Sequence, residues 1–295
     1  MIVLAVPKNL KVHAALFLVS LIYGANYSIA KIALPEYLEP FGFIVLRIGM
    51  ASILFWLFSK TSVAEKVEKK DFLLLVASAF FGVAVNQMLF FKGLSLTNPI
   101  NASVIMTASP IMVMLTAYVL GKEKLTVNKI IGVLIGASGA YLLLTKDGTS
   151  LAHGTFLGDM FILLNGTSYA IYLVIVKPLM AKYRPITVIK WVFLFGFVFA
   201  FPFGIEQLSE VNWTVIPPVA WLSIAYVILA ATFLVYLLNV WSLKFVNSSV
   251  VGIYIYLQPM ISTLIAVSFR GDRLDLITVA YSLLIMIGVY LVSKK

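Results

Sequence analysis

Ten apolar runs divide this chain, near residues 12–34, 41–59, 71–91, 98–120, 126–145, 153–176, 188–204, 217–239, 248–269 and 275–293. Only short charged or Pro/Gly/Asn-rich connections separate them. A bilayer hydrocarbon core about 30 Å thick takes roughly 20 residues of helix, and in lipid each backbone N–H and C=O must be satisfied within the protein. Runs of this length therefore predict membrane helices. Composition agrees, with 62% hydrophobic residues, 12% charged residues and a mean hydropathy of +1.03; an ordinary soluble domain is about half apolar and a quarter charged. The expected fold class is an all-α integral membrane protein of ten transmembrane helices in the cell membrane, with the lipid bilayer as its constant partner. The first run is long, lacks a small-x-small cleavage site and precedes nine others, which predicts a span and not a cleaved signal peptide.

The charges sort by side. With the N-terminus inside, Lys8, Lys11, Lys60, Lys66, Lys69, Lys70, Lys122, Lys124, Lys129, Lys177, Lys182, Arg184, Lys190, Lys244, Lys294 and Lys295 fall in or beside cytoplasmic loops. The outer side keeps Lys31, Lys92, Lys146, Arg270 and Arg273 with most of the acids. By the positive-inside rule both termini are expected to be cytoplasmic. The net charge of +10 is then a topology signal, facing anionic headgroups of the inner leaflet, and does not point to nucleic acid. The chain has no cysteine, which removes disulfides, thiol nucleophiles and thiolate metal sites.

Shifted by 149 residues, 92–146 aligns without a gap on 241–295. Asn98 falls on Asn247, Pro110 on Pro259, Ala117 on Ala266, Glu123-Lys124-Leu125 on Asp272-Arg273-Leu274, Gly139 on Gly288 and Tyr141-Leu142 on Tyr290-Leu291. The earlier parts match more weakly, Tyr23 and Lys31 with Tyr169 and Lys177 at a shift of 146, and Pro40 with Pro185 at 145. Two five-helix halves follow, 12–146 and 153–294. Because five is odd, the second half enters from the opposite face, so the repeats are expected to be inverted about an axis in the membrane plane. In secondary transporters of that architecture the site lies at the repeat interface near the midplane.

The motifs are similar to a known family. The pattern P-x12-[ED]-[KR]-L after the fourth run of each half, the Tyr23-Gly24-Ala25-Asn26 stretch with Lys31 at its outer end, and Arg47 in the second run resemble the drug/metabolite transporter superfamily, specifically its EamA family. The resemblance covers essentially the whole chain. It implies a ten-helix exporter or permease for amino acids or other small metabolites. Tyr23-Gly24 departs from the Trp-Gly usual there.

Polar side chains inside a lipid-embedded helix belong against protein or a cavity. Those singled out are Tyr23 and Asn26 in run one, Asn86 and Gln87 in run three, Asn101 and Ser109 in run four, Tyr169 and Tyr172 in run six, Tyr236 and Asn239 in run eight, and Tyr254 and Gln258 in run nine. Taken singly, such groups often glue helices together. Taken as a set they predict a hydrated cavity with neutral donors and acceptors and aromatic walls, fit for a small-molecule substrate. Lys31 and Arg47 are candidate counter-charges for a substrate carboxylate, against snorkelling and a helix–helix bond as the plainer roles. Pro110 and Pro259 are expected to bend the fourth and ninth helices around the cavity and to act as hinges.

No carboxylate lies in the middle of a run, which favours facilitated diffusion over proton coupling. No metal or other cofactor is implied. His13 and His153 lie far apart near run ends, and no H-E-x-x-H, G-x-S-x-G or phosphate-cradling Gly-Lys loop is present, so an enzyme is not expected. Phosphorylated sugars or nucleotide-sugars would need several converging basic residues, where only Arg47 is central. That reading stays as the alternative within carriers, and a membrane scaffold without transport as the alternative outside them. Gly132, Gly136 and Gly139 form a small-residue face for close helix packing, within the chain or in a homodimer.

Overall fold

The computed structural model describes residues 8–30, 32–34, 36–96, 105–106, 108–145, 156–258, 261 and 276–293. Asn101, Lys31 and Pro259 lie outside the described residues. Helix α1 is Lys8–Ala30 and α2 is Pro40–Ser59; α3 joins Phe72–Ala79, the π-helical Phe80–Val85 and Asn86–Leu96. Then come α4 (Ser109–Val119), α5 (Val127–Thr145), α6 (Phe156–Lys182) and α7 (Pro185–Ser209). Helix α8 joins Pro218–Ile228, the π-helical Leu229–Leu234 and Val235–Ser242. Helix α9 is Ser248–Ile253 tightened into a 3-10 turn at Tyr254–Tyr256, and α10 is Leu276–Ser293. Among the described residues there is no strand. Five helices are long and apolar enough to cross a membrane, and shorter apolar helices accompany them.

Prolines open several of these helices, at Pro40, Pro185 and Pro218, where the missing N–H is one the first turn leaves unbonded in any case. Pro110 sits in the same way, in the first turn of α4 after Ala108. The break is therefore at the start of the described helix, with Met112 N–H donating to Ala108 O at 3.0 Å as the ladder resumes.

Two helix pairs run along one another for most of their length: α2 with α7, and α5 with α10. The second pair shows why small residues are needed. A Cβ on Gly288 would lie 2.6 Å from Gly132 O and 2.7 Å from Gly136 Cα, and one on Gly139 would lie 2.9 Å from Tyr281 O. Without side chains at these points the backbones approach closely, the main source of helix association where lipid is as apolar as leucine. The Gly132/Gly136/Gly139 face is thus occupied within the chain, by α10 and by the Tyr256 ring against Gly136.

The two π-helical segments begin at Phe80 and Leu229, 149 residues apart. The spacing of the sequence repeat thus extends into α3 and α8, beyond the part where residue identities reveal it.

Candidate functional site

A π turn displaces one carbonyl from the ordinary helical ladder, and in a dry interior that oxygen needs another donor. The α3 segment is supplied from two neighbouring helices. Ser168 Oγ on α6 donates to Phe81 O at 2.7 Å, and Tyr236 OH on α8 donates to Gly82 O at 3.2 Å. On α8, Thr232 Oγ1 donates to Val227 O at 2.6 Å. Gly82 carries no side chain because the Tyr172 ring lies directly on it.

These groups converge on one charge. Arg47, in α2, is 6% exposed. Its Nε donates to Thr232 Oγ1 at 2.6 Å and its Nη1 to Gln87 Oε1 at 3.2 Å. Gln87 Nε2 donates onward to Tyr236 OH at 3.0 Å, and Tyr236 donates to Gly82 O. A directional chain of hydrogen bonds therefore runs from the guanidinium through α3 and α8 to the π-bulge carbonyl, each bond polarised by the one before it. Gln87 and Tyr236 are themselves 149 residues apart. Among the described residues no carboxylate lies within 4 Å of Arg47. Placing a charged side chain at the centre of a membrane helix costs about 2.5–3.5 kcal/mol on insertion scales. Its hydrogen bonds to neutral acceptors offset that cost without cancelling the charge.

Aromatic rings extend the cluster. Phe193 stands edge-on to Tyr236 with ring centroids 4.8 Å apart, Tyr172 lies 6.5 Å from Tyr236, and Tyr169 lies 6.2 Å from Tyr172. Tyr172 is 1% exposed and its hydroxyl meets no partner among the described residues; the same holds for Asn165 Oδ1 and Asn26 Oδ1.

Of the residues singled out in the sequence, Arg47, Gln87, Tyr169, Tyr172 and Tyr236 come together here. Asn86 is beside them but bound to α6: its Nδ2 donates to Asn165 O at 3.2 Å, and Asn165 Nδ2 returns the bond to Asn86 O at 2.7 Å. Asn239 is buried one turn beyond Tyr236, and Tyr23 packs with Val19, Ile22, Ala231 and Val235. Ser109 is buried against Gly166. Tyr254 stands apart, toward the Lys8 end of α1. Its hydroxyl is 2.8 Å from His13 Nδ1, and its carbonyl accepts from Ser20 Oγ at 2.9 Å. One turn on, Gly24 faces the Gln258 carbonyl, which a Cβ would approach to 3.2 Å. Thr232 and Ser20 are the participants the sequence reading passed over, and His13, set aside there as a catalytic residue, joins them as a partner of Tyr254. Ser and Thr are common within membrane helices, and the available signal was their register: Thr232 lies in the segment 149 residues from the Phe80 π turn.

Away from the cluster, a cavity of about 380 Å³ opens among Lys124, Thr126, Lys129, Asn247, Val250 and Ser293. Beside it Glu123 accepts from Lys129 Nζ at 2.6 Å and from Ser249 Oγ at 2.7 Å. Burial raises the Glu123 carboxyl, but the bonds from Lys129 and Ser249 outweigh it and hold the group below its ordinary value.

The model of the EamA-like transporter family matches residues 10–145 and again residues 156–294. The chain belongs to the EamA-like transporter family. This EamA-like protein is accordingly a multi-pass membrane transporter. It is 27% identical over 290 residues to an uncharacterized transporter of Archaeoglobus fulgidus, covering 97% of this chain and 99% of that one. It is 22% identical to the uncharacterized transporter YyaM of Bacillus subtilis, covering 97% and 94% respectively. A WAT1-related protein of Arabidopsis thaliana is 22% identical over 94% of this chain and 82% of its own. A protein crystal structure 15% identical in sequence superposes with a TM-score of 0.76, covering 95% of this chain and 96% of that one, which establishes the shared fold.

Proposed function

We propose that this EamA-like protein is a secondary transporter that exports small metabolites such as amino acids by alternating access. Its two halves, 12–146 and 153–294, are inverted five-helix repeats crossing the membrane ten times, with both termini cytoplasmic. The observation that carries the reading is the meeting of repeat-equivalent elements at the centre: π turns 149 residues apart in α3 and α8, bridged by Gln87 and Tyr236. Two copies of one unit facing each other in this way can exchange conformations, and that exchange turns an inward opening into an outward one.

The polar and aromatic groups around Arg47 are the substrate site, and Tyr169, Tyr172 and Tyr236 are its flat walls. The contact of α1 with α9 through His13–Tyr254, Ser20–Tyr254 and Gly24–Gln258 is the cytoplasmic gate, closed in this conformation. Its counterpart across the repeat is the packing of α4 on α6, where Ser109 meets Gly166. Pro110 and Pro259, flanking these contacts, act as hinges. Lacking a carboxylate at mid-span, the protein moves solute down its own gradient.

Counterflow in proteoliposomes tests this. Purified protein preloaded with unlabelled amino acid should take up labelled amino acid transiently and saturably, and an imposed pH gradient should cause no net accumulation. Absence of counterflow for every solute tried would remove the transporter reading, whereas accumulation driven by the pH gradient would replace facilitation with proton coupling.

A further inference from the structure

Resting on that reading, we infer that the central site selects for net charge, taking small organic monoanions with a single carboxylate in preference to zwitterions or cations of the same shape. The guanidinium of Arg47 has five N–H groups, of which Nε–H and one at Nη1 are bonded, both to neutral oxygens. Among the described residues the others meet no acceptor. Thr232 and Gln87 fix the side chain from two helices, so the free edge of the guanidinium plane is held in one orientation before any ligand arrives. A planar fork of donors held in that way is the complement of a carboxylate.

One further group favours a ligand here over a purely structural arginine. The Tyr172 hydroxyl is a buried donor that meets no partner among the described residues, on a ring that adjoins Tyr236 and lies over Gly82 of α3. Buried polar groups in folded proteins are as a rule paired, and an orphan donor beside the Arg47–Gln87–Tyr236 cluster points to an acceptor that pairs it. Charge arithmetic sets the class. With no carboxylate at hand, a ligand of charge −1 makes the occupied site neutral. A zwitterion leaves it at +1, and a cation raises it to +2. A dianionic phosphate ester leaves it at −1. Among amino-acid-like solutes the preference falls on N-acylated members.

The test is a thermal-shift titration of the detergent-purified full chain against solutes matched in body and differing in charge. Acetate, lactate and 3-phenylpropionate are the anions, L-alanine and L-phenylalanine the zwitterions, and ethylammonium and 2-phenylethylammonium the cations. At least one carboxylate should raise the melting temperature in a dose-dependent way, by more than its zwitterionic or cationic counterpart. Arg47→Gln should weaken that carboxylate about ten-fold or more, the factor expected on losing a charge-assisted hydrogen bond. Tyr172→Phe, which removes one orphan hydroxyl and leaves the packing intact, should weaken it several-fold, and it serves as the readout if Arg47→Gln does not fold. Equal or larger shifts from the cations or zwitterions, no shift from any carboxylate, or a carboxylate shift unchanged in both variants each overturn the inference. Counterflow of the same solutes separates the two claims. Saturable flux of L-alanine without carboxylate binding leaves the transporter standing and this inference fallen. Arg47-dependent carboxylate binding without any flux does the reverse.

Discussion

The α5–α10 contact can be tested by adding one methyl group. In Gly288→Ala the new Cβ would lie 2.6 Å from Gly132 O and 2.7 Å from the Gly136 Cα and N atoms. All three are backbone atoms of a neighbouring helix, so no rotamer change relieves them, and the helices must separate by the better part of an ångström. Overpacking of this kind costs about 1–3 kcal/mol. Against that, replacing Gly by Ala in a helix gains roughly 0.8–1 kcal/mol of propensity. The steric term is the larger, leaving a net loss of up to about 2 kcal/mol, or a melting temperature lower by several degrees on the scale of about 2–4 °C per kcal/mol. Gly139→Ala has the same propensity gain but looser surroundings, with its nearest atoms at 2.9 Å and one of them side-chain carbon of Leu284. The expected order of stability is therefore wild type, then Gly139→Ala, then Gly288→Ala. Intrinsic tryptophan fluorescence on heating the detergent-solubilised variants at one scan rate reads this order, since such unfolding is a rate and scan speed must be held constant. A Gly288→Ala protein as stable as wild type, or less perturbed than Gly139→Ala, would show that α5 and α10 are not packed backbone to backbone.

Other measurements probe the centre, the proposed gate and the Glu123 cluster. Tyr236→Phe leaves Gln87 Nε2 without its acceptor and Gly82 O without its donor, and should destabilise by about 1–3 kcal/mol in the same melting assay; a neutral result would count against the relay. Tyr254→Phe loses the His13 bond and should loosen the proposed α1–α9 gate. Because the native chain has no cysteine, a Leu16→Cys probe, buried in α1 and outside the three gate contacts, is compared with and without Tyr254→Phe; it should label faster in the Tyr254→Phe background with a membrane-impermeant maleimide added from the inside, and an unchanged rate would show that the bond does not hold the gate. Glu123 is held below its ordinary value, so the stability it contributes is present above the unfolded carboxylate value near about pH 4.3 and is lost as pH falls through the lower folded value. Glu123→Gln should flatten the acid limb of a melting temperature–pH curve and lower its plateau at neutral pH, and an acid limb of unchanged steepness would assign that limb to other groups.

Much of the fold is legible in the chain because lipid imposes simple rules. Run length announces helices, and the duplicated Pro110 and Pro259 motifs announce a repeat whose 149-residue spacing recurs in the two π turns. Arg47 and Gln87 could be picked out as candidates because a charge and an amide are conspicuous among apolar residues. Their partners could not. In a water-soluble helix a polar stripe marks the outer face, but here both faces are apolar and periodicity carries almost no directional signal. Whether Asn86 would line a cavity or clasp Asn165, and which ring would cover Gly82, depended on how helices far apart in sequence approach one another.

The π turns show the division most clearly. Phe80–Val85 and Leu229–Leu234 have no shared residue pattern that marks them as anything but ordinary helix. The displaced carbonyls need other donors: Ser168 of α6 and Tyr236 of α8 supply those of the α3 π turn, and Thr232 supplies Val227 O from within α8. By itself the sequence determined that this protein lives in a membrane, is helical and is built twice over, because those properties follow from composition and order along the chain. Only the tertiary structure decided where the charge of Arg47 is held and which side chains hold it, because that depends on carbonyls and hydroxyls from separate helices meeting within about 3 Å.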